Sequence, residues 1–164
     1  MDVKVWVLPN PRATDGFGEE LAKAVRQLYT RHPDASLAVR LYGDLGAGKT
    51  SLVRAFLRSM GVTGPVKSPT FSLVESYPLD CAMVHHFDFY RFEDPIEFEE
   101  AGFRDYFAQR NLCFTEWTQK AEPYIPDADL RCVLEHDGLG RKLTLKAKSE
   151  LGKEMVACLP HVEK

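Results

Sequence analysis

The stretch LYGDLGAGKTS, residues 41–51, decides the fold of this 164-residue chain. From Gly43 to Thr50 it fits the pattern G-x-x-x-x-G-K-[ST], in which backbone N–H groups surround a polyphosphate. The lysine supplies a mobile charge for the outer phosphates, and the threonine hydroxyl is a ligand for magnesium. An apolar run of strand length precedes the loop, and a segment with helical spacing follows it up to Gly61. The stretch therefore predicts a nucleotide site at a helix N-terminus.

The segments around this loop predict an α/β fold. Periodicity and capping signals give strands over 3–7, 37–42, 71–77, 83–90 and 112–117, a hairpin turning at Asp137-Gly138, and helices after Thr14, over 51–60, from Asp94 and over 149–159. We therefore expect one domain, residues 1–164, with a P-loop NTPase-type three-layer fold. Its mixed sheet combines parallel core strands with antiparallel hairpins.

Composition excludes several classes of function. The formal net charge is −3, so no basic surface favours direct binding of DNA or RNA. No apolar run is long enough to cross a membrane, and the N-terminus lacks a signal-peptide pattern. The four cysteines are far apart and form no C-x-x-C pair, which favours buried free thiols over a zinc site. We expect a cytoplasmic protein.

Two acidic residues follow apolar strands, where parallel sheets present ligands. Glu116 ends one such strand and is a candidate magnesium ligand together with Thr50. Asp88 alternates with aromatic residues and is a second candidate, although a salt bridge to Arg91 or a local cap would also explain it. His85 and His86 are adjacent and so face opposite ways on a strand; we expect one to be a packed or surface histidine and the other to orient a neighbouring side chain.

Two further features concern the nucleotide. Residues 68–71, Ser-Pro-Thr-Phe, lie where a switch loop would contact magnesium or the γ-phosphate, unless they form a simple proline turn. A guanine-reading N-K-x-D motif is absent, which favours adenine. Residues 1–42 precede the loop and could cover the base, with Thr14 as one contact, unless its hydroxyl is a plain N-cap.

Four stretches together resemble the bacterial TsaE (YjeE) ATPases of tRNA threonylcarbamoyladenosine synthesis: residues 43–50, 66–75, 86–91 and the pair Glu116-Trp117. The resemblance implies a weak ATPase that uses Mg²⁺ and ATP and works with the TsaB and TsaD proteins. Hydrolysis would reset their complex between cycles, so that the tRNA is involved only indirectly. The chain departs from the family after Trp117, where Thr-Gln-Lys replaces the usual proline and acid.

By motif position the resemblance implies catalytic roles for Lys49, Asp88 and Glu116, and metal ligation by Thr50 and Glu116. Asp88 would either order the attacking water or act through the metal shell. The nucleotide-binding set comprises Thr14, Asp44, Leu45, Gly46, Ala47, Gly48, Lys49, Thr50, Ser51 and Arg141. A solvated hairpin arginine is the alternative for Arg141.

Two other functions remain open from the sequence. A small-molecule kinase would need an arginine-rich lid, whereas Arg104 and Arg110 stand isolated. A nucleotide-dependent binding module with negligible turnover would use residues 68–71 as its switch. Phosphorylation of an acceptor and the effect of partners on turnover distinguish these functions from an ATPase.

Overall fold

A computed structural model describes residues 2–44 and 46–160, so that Leu45 lies outside the described residues. The described helices and strands are β1 (Val3–Leu8), α1 (Pro11–Arg31), β2 (Leu37–Tyr42), α2 (Lys49–Ser59), β3 (Val74–Pro78), β4 (Met83–Asp88), α3 (Glu97–Glu100), β5 (Asn111–Glu116), β6 (Leu130–Asp137), β7 (Gly140–Ala147) and α4 (Glu150–Cys158). Short 3₁₀ turns lie at Phe103–Phe107 and Thr118–Lys120. None of the helices in these ranges has the length and apolarity needed to cross a membrane.

All seven strands form one mixed sheet in the order β1-β7-β6-β2-β5-β4-β3. β2 pairs in parallel with β5 and β6, and β4 pairs in parallel with β5. The three remaining pairs, β1 with β7, β6 with β7 and β3 with β4, are antiparallel. The predicted α/β class, with parallel core strands and antiparallel hairpins, is confirmed. Because β2, β5 and β4 are parallel neighbours, their carboxyl ends meet at one edge of the sheet.

Two apolar layers cover the sheet. On one face α1, α2 and α4 pack on β2 and its neighbours, with fully buried side chains such as Leu28, Phe56 and Met155. On the other face an aromatic cluster over β4 and β5 joins strand residue Phe87 to Phe98 of α3. Edge-on rings such as Phe87–Phe103 and Phe89–Phe98, with centroids 5.1 and 5.8 Å apart, give this cluster specific geometry in addition to its buried area.

The helix bounds differ from the prediction most at two places, while α2 begins at Lys49 rather than at 51 and α4 is one residue shorter at each end. α1 begins at Pro11 rather than after Thr14, because the Asn10 side chain accepts the Ala13 N–H at 2.9 Å and forms the N-cap. The helix predicted from Asp94 has only one turn. One of the two bonds of its capping box forms, since Glu97 accepts the Asp94 N–H at 3.0 Å, whereas the Asp94 side chain accepts the Ile96 N–H rather than that of Glu97.

Two strands were also predicted too long, β3 at its start and β4 at its end. β3 begins at Val74 rather than at 71, because Leu73 has a φ of 72°, which is outside the extended region. β4 ends at Asp88 rather than at 90, where the Asp88 side chain accepts the Tyr90 N–H. The four cysteines are free, as predicted, but only Cys113 and Cys132 are buried; Cys81 and Cys158 are partly exposed.

Candidate functional site

The loop between β2 and α2 needs glycine at two positions for different reasons. Gly48 caps α2 with a φ of 107°, a conformation that L side chains rarely adopt. At Gly43 a Cβ atom would lie 2.7 Å from the carbonyl oxygen of Leu134, so close approach to β6 excludes a side chain. The first N–H groups of α2 consequently open onto the loop without a side-chain cap.

Lys49 begins α2 and lies under the loop. Its Nζ donates a hydrogen bond to the Gly43 carbonyl and stands 3.6 Å from Oε1 of Glu116. The Lys49 and Glu116 side chains are only 12% and 7% exposed, so this ion pair is shielded from solvent. The charge of the lysine is therefore already directed at the carboxyl end of β5.

Asp88 and Glu116 are register partners at the ends of the parallel strands β4 and β5. Asp88 accepts the Tyr90 N–H at 2.8 Å on Oδ1 and the Thr70 hydroxyl at 3.2 Å on Oδ2. Burial raises the pKa of Asp88 above its ordinary value, the Tyr90 N–H opposes this rise, and the Glu116 carboxylate adds to it.

The alternative of a salt bridge between Asp88 and Arg91 is wrong, whereas the local cap is present through Tyr90. Arg91 instead donates from Nε to the carbonyl of Thr70 at 3.2 Å, and its guanidinium lies 4.1 Å from the ring centre of Phe71. The segment 68–71 is therefore held to the end of β4 from two sides, by Arg91 and by the Thr70 hydroxyl.

The two histidines face opposite ways, as predicted. His86 is fully buried, and its Nε2 lies 2.6 Å from Oε2 of Glu116. Its Nδ1 has no hydrogen-bond partner among the described residues. His85 lies 2.7 Å from the Ser76 hydroxyl and 2.8 Å from Oδ1 of Asn111.

The ends of β4 and β5 and the loop enclose a cavity of about 660 Å³, which we call the strand-end cavity. Of the predicted site residues, it brings together Asp44, Gly46, Gly48, Lys49, Thr50, Ser51, Asp88 and Glu116. Ser68 and Thr70 line its wall, as expected for a switch loop, and so do Tyr90 and Trp117. The Tyr90 and Trp117 rings meet edge-on with their centres 4.9 Å apart.

A second cleft, of about 290 Å³, lies between α1, the loop and the β6–β7 turn; we call it the α1 cleft. It contains Thr14, and it shares Gly48 and Ser51 with the strand-end cavity. Thr14 is not the N-cap, so the alternative for its hydroxyl is wrong. The sequence interpretation missed Asn10, which lines this cleft and is the N-cap of α1. An asparagine directly before a proline, here Pro11, is the local pattern that could have indicated the helix start.

Arg141 lies at the start of β7 and points toward the loop. Its Nε donates to the Ala47 carbonyl at 2.8 Å and its Nη2 donates to the Gly46 carbonyl at 3.1 Å. A freely solvated hairpin arginine is therefore the wrong alternative. Arg141 lines the α1 cleft beside Ala47, so the hairpin and the loop form one wall.

Comparison with known proteins agrees with this arrangement. The profile of the family described as "Threonylcarbamoyl adenosine biosynthesis protein TsaE" matches residues 8–143, which is most of the chain. The chain belongs to the TsaE family. The match includes both clefts and the ends of β2, β4 and β5, and the family takes part in tRNA threonylcarbamoyladenosine biosynthesis.

Individual TsaE relatives match over most of their length. The tRNA threonylcarbamoyladenosine biosynthesis protein TsaE of Haemophilus influenzae is 40% identical over 157 residues, which cover 96% of this chain and 98% of that protein. Its namesake from Bacillus subtilis is 33% identical over 133 residues, with 81% and 78% covered. The crystal structure of Bacillus subtilis YdiB superposes with a TM-score of 0.71 over 94% of this chain and 92% of that one. At 24% identity, this superposition supports the three-layer fold alone.

Proposed function

We propose that this TsaE-family chain is a Mg²⁺-dependent ATPase of tRNA threonylcarbamoyladenosine modification. It would act with TsaB and TsaD, and its hydrolysis of ATP would reset their complex between cycles. One observation carries the proposal: a P-loop lysine and threonine and the two strand-end carboxylates of Asp88 and Glu116 line the same cavity. A P-loop ATPase needs these groups together.

The two clefts fit the parts of one nucleotide. Because they share Gly48 and Ser51, a ligand can extend from the α1 cleft across the N-terminus of α2 into the strand-end cavity. Phosphates in the strand-end cavity would face the N-terminal end of α2, where backbone N–H groups favour anions. The base and ribose would then lie in the α1 cleft between Thr14 and Arg141.

The residues at the strand ends suit magnesium. Thr50 offers a hydroxyl oxygen and Glu116 a carboxylate, and such hard oxygen ligands are typical of Mg²⁺ sites that also use phosphate oxygens. The chemistry that bound magnesium supplies at a P-loop is neutralisation of charge on the β- and γ-phosphates. The Glu116 oxygen that faces Lys49 is the one available to it, since the other is bonded to His86.

Asp88 is suited to hold the attacking water. Each of its oxygens accepts one hydrogen bond from the protein, which fixes the carboxylate and leaves further lone pairs free. Burial raises the pKa of Asp88 above its ordinary value, which would make its carboxylate a better proton acceptor than that of an ordinary aspartate. We assign to Lys49 the binding of the outer phosphates.

The surroundings of the cavity favour a partner-dependent ATPase over a kinase. Tyr90 and Trp117 line the cavity and are exposed, Phe71 is exposed next to the cavity-lining Thr70, and clustered exposed aromatic residues mark protein contacts. Arg110 precedes β5 and so lies at the opposite edge of the sheet from the cavity. Arg104 is bonded to Glu99 and to a backbone carbonyl. Neither arginine is placed to cover a transferred phosphate.

The test is ATP hydrolysis by the purified chain, alone and with TsaB and TsaD added. We expect a large rise with the partners that disappears in Lys49→Ala, while Glu116→Ala mainly weakens the Mg²⁺-dependent turnover. Wild-type rates in both variants would refute the site assignment. Phosphate transferred to a metabolite would establish the kinase instead, and partner binding that depends on ATP without turnover would establish the binding module.

A further inference from the structure

The most deeply buried polar group at the site is His86, which no step proposed so far uses. It lies on β4, two residues before Asp88, and no part of it is exposed. Its only side-chain hydrogen bond in the described part of the chain runs to Glu116, at 2.6 Å. Burying an imidazole has a desolvation cost, so an apolar side chain would fill the same core volume at least as well. The burial of a histidine here therefore points to a role for its hydrogen bond.

The two oxygens of Glu116 have different partners. Oε2 is bonded to His86 at 2.6 Å, whereas Oε1 stands 3.6 Å from the Lys49 ammonium, beyond hydrogen-bond distance. An ionised carboxylate can only accept hydrogen bonds, so the hydrogen between the two groups belongs on Nε2, and Nδ1 of His86 has no hydrogen-bond partner among the described residues. Nε2 therefore donates to Oε2.

We propose that His86 is the positioning residue of Glu116: it fixes Oε2 and thereby presents Oε1 to the metal that accompanies the nucleotide. This inference rests on the proposed function. When a nucleotide binds, Lys49 would move from the Glu116 carboxylate to the phosphates, whereas His86 would keep its hydrogen bond to Glu116. An outer partner that orients a metal-ligating carboxylate in this way typically changes metal affinity about 10- to 100-fold.

The experiment measures how strongly Mg²⁺ supports nucleotide binding. A fluorescent ATP analogue is titrated into the chain first in EDTA, which gives the metal-free dissociation constant. The titration is repeated at increasing MgCl₂ concentrations, and the concentration at which half of the gain in affinity is reached is the Mg²⁺ midpoint. His86→Leu removes the donor at similar volume, and His86→Gln retains an N–H near the position of Nε2. His85→Leu is the matched control, because His85 is also buried and its replacement removes hydrogen bonds to Ser76 and Asn111 on the opposite face instead of a bond to Glu116.

We expect His86→Leu to raise the Mg²⁺ midpoint about 10- to 100-fold while changing metal-free affinity less than about threefold. His86→Gln should recover most of the loss, and His85→Leu should keep the wild-type midpoint. If His86→Leu does not fold, the pair His86→Gln and His86→Asn replaces it, since the shorter amide cannot reach Oε2.

Two results would overturn the inference. One is a Mg²⁺ midpoint in folded His86→Leu, or in His86→Asn, that equals that of the His85→Leu control. The other is a loss in His86→Gln equal to that in His86→Leu, which would show that only the ring's packing matters. Failure of the proposed function looks different, because the wild-type chain itself would then show no Mg²⁺-supported binding of the ATP analogue.

Discussion

Replacing Arg141 by methionine should weaken ATP binding although the side chain lies outside the P-loop motif. The substitution keeps the apolar stem and removes the donors to the Ala47 and Gly46 carbonyls, at 2.8 and 3.1 Å. Hydrogen bonds from a charged donor contribute about 1.5–3 kcal/mol each. Because Arg141 is partly exposed and solvent weakens its electrostatic interactions, we expect the two hydrogen bonds together to contribute about 1–2 kcal/mol.

This free energy should appear in the affinity for the nucleotide. The two bonds order the loop before ATP arrives, and a loop that is not ordered in advance must lose that freedom on binding. Since about 1.4 kcal/mol corresponds to a factor of ten, Arg141→Met should bind ATP about 5- to 30-fold more weakly. The measurement is calorimetric titration with ATP and Mg²⁺ at fixed ionic strength.

The control is Lys142→Met, the next residue of the same strand. Lys142 is exposed and faces the other side of the sheet, so its replacement removes one positive charge without touching the loop. Thermal unfolding of both variants checks that the fold is intact. If the two variants bind ATP within a factor of two of each other, Arg141 does not order the loop and the argument fails.

Three further perturbations test neighbouring parts of the structure. Because the pKa of Asp88 is raised above 3.8 in the folded state, protonation of Asp88 stabilises the fold at low pH, and this part of the free energy of unfolding is lost as pH rises through the raised value. Asp88→Asn should remove this pH dependence, as measured by urea unfolding from pH 4 upward. It should also abolish turnover. Thr70→Val removes one donor to the Asp88 carboxylate and should lower kcat about 5- to 10-fold with little change in KM, whereas Thr70→Ser should not; equal kcat in both variants would contradict the role of the hydroxyl. Gly18→Ala would bring a Cβ to 2.6 Å from that of Ala55 and should destabilise the fold by about 1–3 kcal/mol. Gly16→Ala in the same helix meets nothing within 4 Å and should stabilise the fold by about 0.5–1 kcal/mol. Melting temperatures in the reverse order would refute the packing of α1 on α2.

The sequence predicted the site's elements because their signals are local. The loop, its flanking strand and helix, and the carboxyl end of β5 follow from glycine spacing and from hydrophobic periods within about ten residues. Glu116 and Asp88 were placed near the loop by one general rule, that parallel strands end at the same edge, and the register of β4 with β5 agrees with it. Their assignment to magnesium and catalysis stays a prediction.

What the sequence could not predict depends on contacts between distant residues. Arg141 reaches Ala47 across 94 positions of the chain, and no local pattern distinguishes it from a solvated hairpin arginine. The bond of His86 to Glu116 spans 30 positions and requires the pairing of β4 with β5. The helix after Asp94 was overestimated because its capping box signals where a helix starts and carries no information on where it ends.

The ion pair between Lys49 and Glu116 implies that phosphate and metal bind cooperatively. When the ammonium moves toward phosphates, Glu116 keeps only its bond to His86 while remaining 5% exposed and in register with Asp88. A buried carboxylate without a counter-charge costs several kcal/mol, and a divalent cation at Oε1 removes that cost. We therefore expect nucleotide binding to strengthen metal binding and, by thermodynamic reciprocity, metal to strengthen nucleotide binding by the same factor. On the proposed function, the nucleotide-free site would disfavour either ligand alone, because Lys49, which the phosphates would need, neutralises Glu116, which the metal would need.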